Sequence, residues 1–162
     1  MAQTAIRHFE SEDIPASRAL WLQSEGVGLS AADEPGALRA FLVRNPGLSF
    51  VATQGSALAG TILCGHDGRR GLIHHLVVAQ GQRRHDLGRR LLHAGLGALR
   101  EAGIQKCHLL VFRSNAAGLA FWRKVGADER TAVALFSIST ENASQPFAPA
   151  DLPRPAVRTR LS

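Results

Sequence analysis

Four arginines concentrate positive charge just after a short apolar run in the middle of the chain. The run, at residues 73–79, is rich in β-branched residues and predicts a single buried strand. A turn at Gln80-Gly81-Gln82 follows it, and the arginines occupy positions 83, 84, 89 and 90. Guanidinium groups present forked donors that suit phosphate, so this segment has the chemistry to bind an anion.

A helix is predicted directly behind these arginines. Its inner face is indicated by apolar and small residues at helical spacing, namely Gly88, Leu91, Leu92, Gly95, Leu96 and Leu99. Because the first N–H groups of a helix lack partners and the helix dipole adds positive character, strand, basic turn and helix start together favour an anion site. The alternative, that the arginines only form a solvated helix face, stays open on these residues alone.

Length and composition limit the class of protein. A chain of 162 residues with 45% hydrophobic and 20% charged residues is typical of one globular domain with its own core. Since no apolar run reaches the length of a membrane span and the N-terminus lacks a signal peptide, we expect no membrane partner and a cytoplasmic location. Cys64 and Cys107 fall in predicted buried strands and are expected to be reduced, and no metal is expected because the seven histidines lack zinc-ligand spacing.

The net charge of +6 and a pI near 10.9 indicate an anionic partner. Nucleic acid is not expected, because aromatic residues are only 6% and no recognition-helix or zinc-finger pattern is present. A polyphosphate cofactor explains the arginine cluster more economically. A homodimer stays open.

The other elements are predicted from turn signals and periodicity. Expected strands are 4–9, 49–53, 57–64, 73–79, 106–112 and 131–139, and expected helices are 13–24, 35–44, one ending at Gly103, and 115–125. This order predicts an α+β fold, a mixed sheet with flanking helices. Residues 1–140 are expected to form the domain, and 141–162, with four prolines and three arginines, a tail.

The central segment resembles the signature of the GNAT superfamily of acyl-CoA-dependent N-acyltransferases. In that family a strand ends in a Val-x-Pro-like turn, and Arg/Gln-x-x-Gly-x-Gly/Ala and a helix follow. Val78, Arg83 and Gly88 match this pattern, while Gln80 stands at the usual Pro and Asp86 at the middle Gly.

A second segment, residues 114–126, resembles the family's Asn-x-x-Ala-x-x-Phe-Tyr-x-x-x-Gly-Phe stretch. The two motifs occur in the family's order and at a fitting distance, and the resemblance extends over about residues 4–139. It implies a mostly antiparallel sheet in which two central strands splay apart and leave a V-shaped cleft.

The resemblance implies acetyl-CoA as co-substrate. Main-chain groups at the end of the central strand would hold the thioester, the basic loop the pyrophosphate, and the last helix the pantetheine arm. The implied cofactor-binding residues are Leu76, Val77, Val78, Arg83, Arg84, His85, Asp86, Leu87, Gly88, Arg89, Asn115, Phe121 and Trp122. One of the strand N–H groups would serve as the oxyanion donor.

The resemblance also implies a general base on or near the central strand, because an alkylammonium with a pKa of about 10.4 must lose a proton before it attacks. His74 is the first candidate, four residues before Val78 and on the strand face shared with Leu72 and Leu76. The adjacent His75 points to the opposite face and is the second candidate, since a bulge could exchange the faces. That either histidine is only structural stays open.

The general acid departs from the family pattern. The family commonly places a Tyr after the Phe of the last helix, but this chain has no Tyr and Trp122 stands there. An indole N–H donates a hydrogen bond but cannot transfer a proton, so water would protonate the leaving thiolate.

In the loop after the first helix, Glu25, Asp33 and Glu34 either attract a cationic amine or are simply solvated. The implied activity is acetylation of a primary amine of a small molecule or peptide by direct attack in a ternary complex. The alternative is a degenerate member of the same fold that binds acyl-CoA without catalysis or has a regulatory role.

Overall fold

The computed structural model describes residues 4–83 and 85–144, and its centre is a five-stranded sheet. The strands are β1 (Thr4–His8), β2 (Phe50–Gln54), β3 (Ala57–His66), β4 (Gly71–Val78) and β5 (Cys107–Leu109), in that spatial order. The first four pair antiparallel and β4 pairs with β5 in parallel. The predicted mixed, mostly antiparallel sheet is therefore confirmed.

Among the described residues, four helices flank the sheet: α1 (Ile14–Leu22), α2 (Pro35–Arg44), α3 (Leu87–Glu101) and α4 (Ala116–Lys124). A proline in the first turn starts both α1 and α2, where the missing N–H costs no hydrogen bond. Gly103 and Gly126, with φ of 82° and 87°, take the left-handed conformation that ends α3 and α4. The predicted helix limits are confirmed to within a few residues.

Two apolar cores lie on the two faces of the sheet. One joins the sheet to α3 through Leu91 and Leu99, and the other joins it to α1 and α2 through Trp21 and Leu38. Alternation along β3 accounts for this, since Ile62 belongs to the first core while the next residue belongs to the second.

Strands β4 and β5 separate part of the way along β4. Their pairing comprises only Gly71 with Cys107, Leu72 with His108 and Ile73 with Leu109, whereas β4 continues along β3 as far as Val78. The predicted splay between the two central strands is confirmed, and it opens a cleft beside the second half of β4.

Some predicted burial is wrong. The strand expected at residues 106–112 is reduced to β5, and beyond it Leu110 and Phe112 are 69% and 56% exposed. Cys107 is only partly buried, while Cys64 is fully buried as expected. Leu96 is 42% exposed because it lies at the margin of the α3 face that packs on the sheet.

The last predicted strand, residues 131–139, is also wrong, because among the described residues this segment forms a turn and then irregular backbone. Contacts divide the chain into two units, Met1–Asp128 and Glu129–Ser162, and the segment belongs to the second. Its large apolar side chains, Val133, Leu135, Phe136 and Ile138, are at least 67% exposed. Apolar alternation predicts a strand only if a neighbour supplies the hydrogen bonds, and here the alternation also changes face between Leu135 and Phe136.

Of the predicted tail, only residues 141–144 are described, within a 3-10 turn at Thr140–Ser144, and 145–162 lie outside the described residues. In the part of the chain that the structure covers, no helix is long and apolar enough to cross a membrane.

Candidate active site

A β-bulge interrupts β4 at its centre. Thr61 pairs with Val77 and Leu63 with His74, so two residues of β4 lie opposite one of β3. At the bulge His75 has a φ of 45°, a left-handed conformation that His adopts more readily than most residues. The sequence allowed for a bulge in this strand, and the structure contains one.

The bulge brings both histidines to the same side of the sheet. The His74 ring meets Phe41 of α2 edge-on, with centroids 6.0 Å apart, and the His75 ring stacks on Trp21 of α1 at 4.3 Å. Leu76 instead packs against the core on the α3 side. The predictions that adjacent histidines point to opposite faces and that His74 shares a face with Leu76 are therefore wrong, because the extra residue breaks the alternation.

The His75 imidazole is bound to a carboxylate from a distant part of the chain. Its Nε2 lies 2.5 Å from Oδ1 of Asp33, and the two side chains are only 14% and 11% exposed. The other oxygen of Asp33 accepts the N–H of Ser30 at 2.8 Å. The sequence predicted that Asp33 either attracts a cationic amine or is solvated. Because its carboxylate is buried and already bonded to His75 and Ser30, Asp33 does neither.

A buried pair of side chains holds the backbone of the bulge. Trp21 Nε1 donates to Thr61 Oγ1 at 2.9 Å, and the Thr61 hydroxyl donates to the carbonyl of His75 at 2.8 Å. Trp21 and Thr61 are at most 1% exposed. Because an unpaired polar group at this depth is costly, these bonds fix the position of the bulge.

The other histidine is adapted to stay neutral. Partial burial of the ring against Phe41 and the nearby His75 lower the pKa of His74, and only the carboxylate of Asp33 acts in the opposite direction. More than a third of the His74 residue stays exposed, so its imidazole is accessible as a neutral base near pH 7.

The backbone N–H group of Val78 on β4 faces the cleft. The N–H of Ala79 donates to the carbonyl of Ala59 on β3 at 2.9 Å. Since successive residues of a regular strand direct their N–H groups to opposite sides, Val77 also faces β3, whereas Val78 faces the opening beside β5. The carbonyl of Val78 is consistent with this orientation, because it accepts a hydrogen bond from Nε of Arg83 at 3.2 Å rather than from a β3 group. The alternation does not extend to Leu76, because Leu76 lies in the bulge.

Asp86 begins α3 in a left-handed conformation, with φ of 60°, at the position where the motif has Gly. Its side chain makes no capping hydrogen bond, and its carboxylate lies 3.9 Å from Nε of Arg89, with both side chains more than half exposed. The first N–H groups of α3 consequently have no partner within the helix and no side-chain cap. The start of α3 is thus open to an anion.

The rest of the basic loop is exposed or tightly packed. His85 is exposed, Leu87 is buried, and Arg84 lies outside the described residues. A Cβ on Gly88 would lie 3.3 Å from the ring of Phe121, so this glycine lets α3 approach α4 closely. Phe121 and its neighbour Trp122, ring centroids 5.3 Å apart, pack partly buried against the α3-side core.

Asn115 begins α4 and packs closely against Gly26 in the loop between α1 and α2. Its Oδ1 accepts the N–H of Gly118 at 2.9 Å and caps the helix. A Cβ on Gly26 or Gly118 would come within 2.4 or 2.6 Å of its Nδ2, so both glycines are needed for this contact. A cavity of about 320 Å³ lies here, lined also by Glu25 and Ser114.

The sequence brought together the strand end, the arginine loop and the α3 start, but it missed two partners of the histidines. Trp21 was taken only as part of a helix, although an indole N–H facing a strand usually has an acceptor. Thr61 was a strand residue without a role, and no local signal indicates that its hydroxyl meets a bulge. The remaining acid of the loop, Glu34, forms an exposed ion pair with Arg18 at 3.0 Å.

Comparison with known proteins gives one family and many similar folds. The sequence model of the Acetyltransferase (GNAT) family matches residues 14–127. Among curated proteins no sequence matches significantly.

Ard1 from Thermoplasma volcanium superposes with a TM-score of 0.67 at 22% identity, over 76% of this chain and 81% of that one. PaiA N-acetyltransferase from Thermoplasma acidophilum, in complex with coenzyme A, superposes at 0.65 and 22% identity, over 76% and 89%. AAC(6')-Iy in complex with the bisubstrate analogue CoA-S-monomethyl-acetylneamine superposes at 0.67 and 14% identity, over 85% and 99%.

Proposed function

Because the chain belongs to the Acetyltransferase (GNAT) family, we propose that it is an N-acetyltransferase that uses acetyl-CoA to acetylate a primary amine of a small molecule or peptide. The observation that carries the proposal is the second half of β4. There a cleft, an outward N–H group, an uncapped helix start and two histidines occur within 16 residues, His74 to Arg89.

The residues present suit a CoA pyrophosphate at the start of α3. Arg83, Arg84 and Arg89 supply donors and positive charge, His85 supplies a ring N–H donor, and the N–H groups around Leu87, Gly88 and Arg89 need acceptors. Asn115, Phe121 and Trp122 belong to α4 or its cap and would contact the pantetheine arm. Similar folds solved with CoA, such as PaiA, support this use of the cleft.

The N–H groups of Leu76 and Val78 are our candidates for binding the thioester oxygen. The N–H of Val78 faces the cleft, and the strand that carries both groups is paired with β3 on the other side. Preorganised donors of this kind stabilise the oxyanion of acyl transfer by roughly 3–4 kcal/mol each. The N–H of Val77 faces β3 and not the thioester, so Val77 would only help to position the backbone of this strand end.

Proton transfer falls to the histidine pair. The amine nitrogen attacks the thioester carbon, a C–N bond forms, the C–S bond breaks, and the proton leaves the nitrogen for a neutral imidazole of His74 or His75. The lowered pKa of His74 keeps that ring unprotonated near neutral pH. Water protonates the departing thiolate, since the indole N–H of Trp122 is too weakly acidic to transfer its proton.

Asp86 and the absence of Tyr favour one alternative, a member of the fold that binds acyl-CoA but does not turn it over. A carboxylate beside the pyrophosphate opposes binding, and a missing acid slows thiolate release.

A thiol-release assay with acetyl-CoA and a library of primary amines, including peptides and amino sugars, tests the proposal. It is paired with thermal unfolding in acetyl-CoA, where ligand at a hundred times its Kd adds about 2.7 kcal/mol of stability. Stabilisation with amine-dependent thiol release supports the enzyme. Stabilisation without release for any amine supports the alternative, and neither effect refutes both.

A further inference from the structure

We propose that Asp33 is a positioning residue that holds the His75 imidazole with its Nδ1 free to take the proton of the acceptor amine. The inference rests on the proposed acetyltransferase activity and goes beyond it by choosing between the two histidines and assigning a partner. Asp33 itself neither touches the amine nor accepts the proton.

The hydrogen bonds of Asp33 determine the tautomer of His75. One carboxylate oxygen lies 2.5 Å from Nε2, and the other accepts the N–H of Ser30 at 2.8 Å and its hydroxyl at 3.4 Å. An ionised carboxylate only accepts hydrogen bonds, so Nε2 must carry a hydrogen. In the neutral ring the lone pair is then on Nδ1.

The Nδ1 atom is available while the ring is immobile. Among residues 4–83 and 85–144 no hydrogen bond reaches Nδ1, and the His75 side chain is 14% exposed. Stacking on Trp21 at 4.3 Å fixes the ring plane, and Thr61 holds the carbonyl of the same residue. A base held on three sides loses little freedom when it reacts.

The location of this ring fits the reaction. His75 lies three residues before Val78, whose N–H faces the cleft, so the base and an oxyanion donor come from the same half of β4. When the amine proton moves to Nδ1, the ring becomes an imidazolium, and the carboxylate on Nε2 stabilises that new charge. His74 beside it lacks such a partner in the part of the chain that is described.

A structural role alone is the competing explanation. Asp33 and Ser30 form a capping box on the short 3-10 turn Ala31–Asp33, which could by itself require the carboxylate. The Ser30 contacts use only one oxygen, however, and leave the contact with His75 unexplained.

The test compares Asp33→Asn with Glu12→Gln, which removes an exposed carboxylate from the turn before α1. Asp33→Asn should lower kcat by roughly 10² and leave KM for acetyl-CoA within about twofold, whereas Glu12→Gln should leave both nearly unchanged. Nitrogen-15 NMR of the imidazoles should find His75 protonated at Nε2 in the wild-type protein and a mixture of tautomers in Asp33→Asn.

His75→Asn completes the cycle, because Asn tolerates the left-handed backbone at this position. It should lose at least as much kcat as Asp33→Asn, and adding Asp33→Asn to it should cost nothing further. If either single variant keeps kcat within about threefold of an active wild type, or if the losses multiply, the positioning role is overturned while the acetyltransferase stands. A wild-type protein that neither binds acetyl-CoA nor releases thiol overturns both.

Discussion

Replacement of Asp86 separates the charge of this residue from its backbone conformation. At a separation of about 4 Å, a carboxylate and a phosphate charge repel by about 1 kcal/mol with water-like screening and by about 4 kcal/mol at an effective dielectric constant of 20. The Asp86 side chain is 63% exposed and lies 3.9 Å from Nε of Arg89, so the lower value applies. Loss of the charge should therefore improve CoA binding by about 1 kcal/mol, roughly a fivefold lower Kd.

Three variants distinguish the two effects. Asp86→Asn removes the charge but retains a side chain that accepts φ of 60°, so CoA should bind about fivefold more tightly with little change in stability. Asp86→Gly should bind five- to tenfold more tightly, since the backbone can also approach the pyrophosphate. Asp86→Ala should share the gain in affinity but lose about 1 kcal/mol of stability, because its Cβ disfavours the left-handed backbone.

Isothermal titration with CoA at low and high salt measures these affinities, and urea unfolding measures the stabilities. The gain should shrink as salt rises, because the repulsion is between exposed charges. Equal or weaker binding by both the Asn and the Gly variants would refute the reasoning and show that Asp86 is turned away from the ligand or belongs to its site.

Three further predictions concern stability. Burial alone raises the pKa of Asp13, but hydrogen bonds from Arg7 at 2.7 Å and from a backbone N–H, together with the arginine charge, lower the pKa overall. Asp13→Asn should therefore lower the free energy of unfolding by about 1–2 kcal/mol above about pH 4. In urea titrations at lower pH the difference from wild type should vanish, because the folded carboxylate is then protonated. Thr61→Val leaves a buried indole N–H and a bulge carbonyl unpaired and should cost about 2–4 kcal/mol in urea unfolding, whereas Thr61→Ser, which keeps the hydroxyl, should cost about half as much or less. Equal losses would contradict this, because the methyl group, which only the Ser variant lacks, would then contribute as much as the hydroxyl bonds. Gly95→Ala would place its Cβ 2.7 Å from Cys64 Sγ and should lower the free energy of unfolding by about 1–3 kcal/mol. Gly97→Ala in the same helix has nothing within 4 Å of the new Cβ and should stabilise the protein by about 0.5–1 kcal/mol. If Gly95→Ala were also stabilising, α3 would have to shift freely.

Local chemistry accounts for most of the fold that the sequence predicted. Prolines at helix starts, glycines at helix ends and the turn around Gly55 act over a few residues, so α1 to α4 and the β2–β3 hairpin were placed nearly correctly. The segment at 131–139 failed because a strand depends on a neighbour that alternation cannot reveal.

The site shows the same limit. The basic loop and the start of α3 are contiguous in sequence and were predicted together. The contact of Asp33 with His75 spans 42 residues and depends on a bulge that changes which face a histidine occupies. A bulge arises when one strand has an extra residue relative to its partner, and it therefore depends on how the two strands pair. The alternation within one strand cannot predict it, so the sequence only allowed for a bulge in β4.

The bulge in β4 also determines which chemistries this scaffold can acquire by point mutation. Two consecutive side chains on one face give the cleft two adjacent functional positions while the α3 core behind them stays intact. The positions accept different sets of residues. Position 74 has ordinary strand backbone and admits Glu, Asp or Tyr, whereas position 75, at φ of 45°, is restricted to Gly, Asn, Asp and His and excludes β-branched residues. Among related proteins that use another acceptor or another base, the residue at position 74 should therefore vary most, whereas position 75 should be taken from this short list of amino acids.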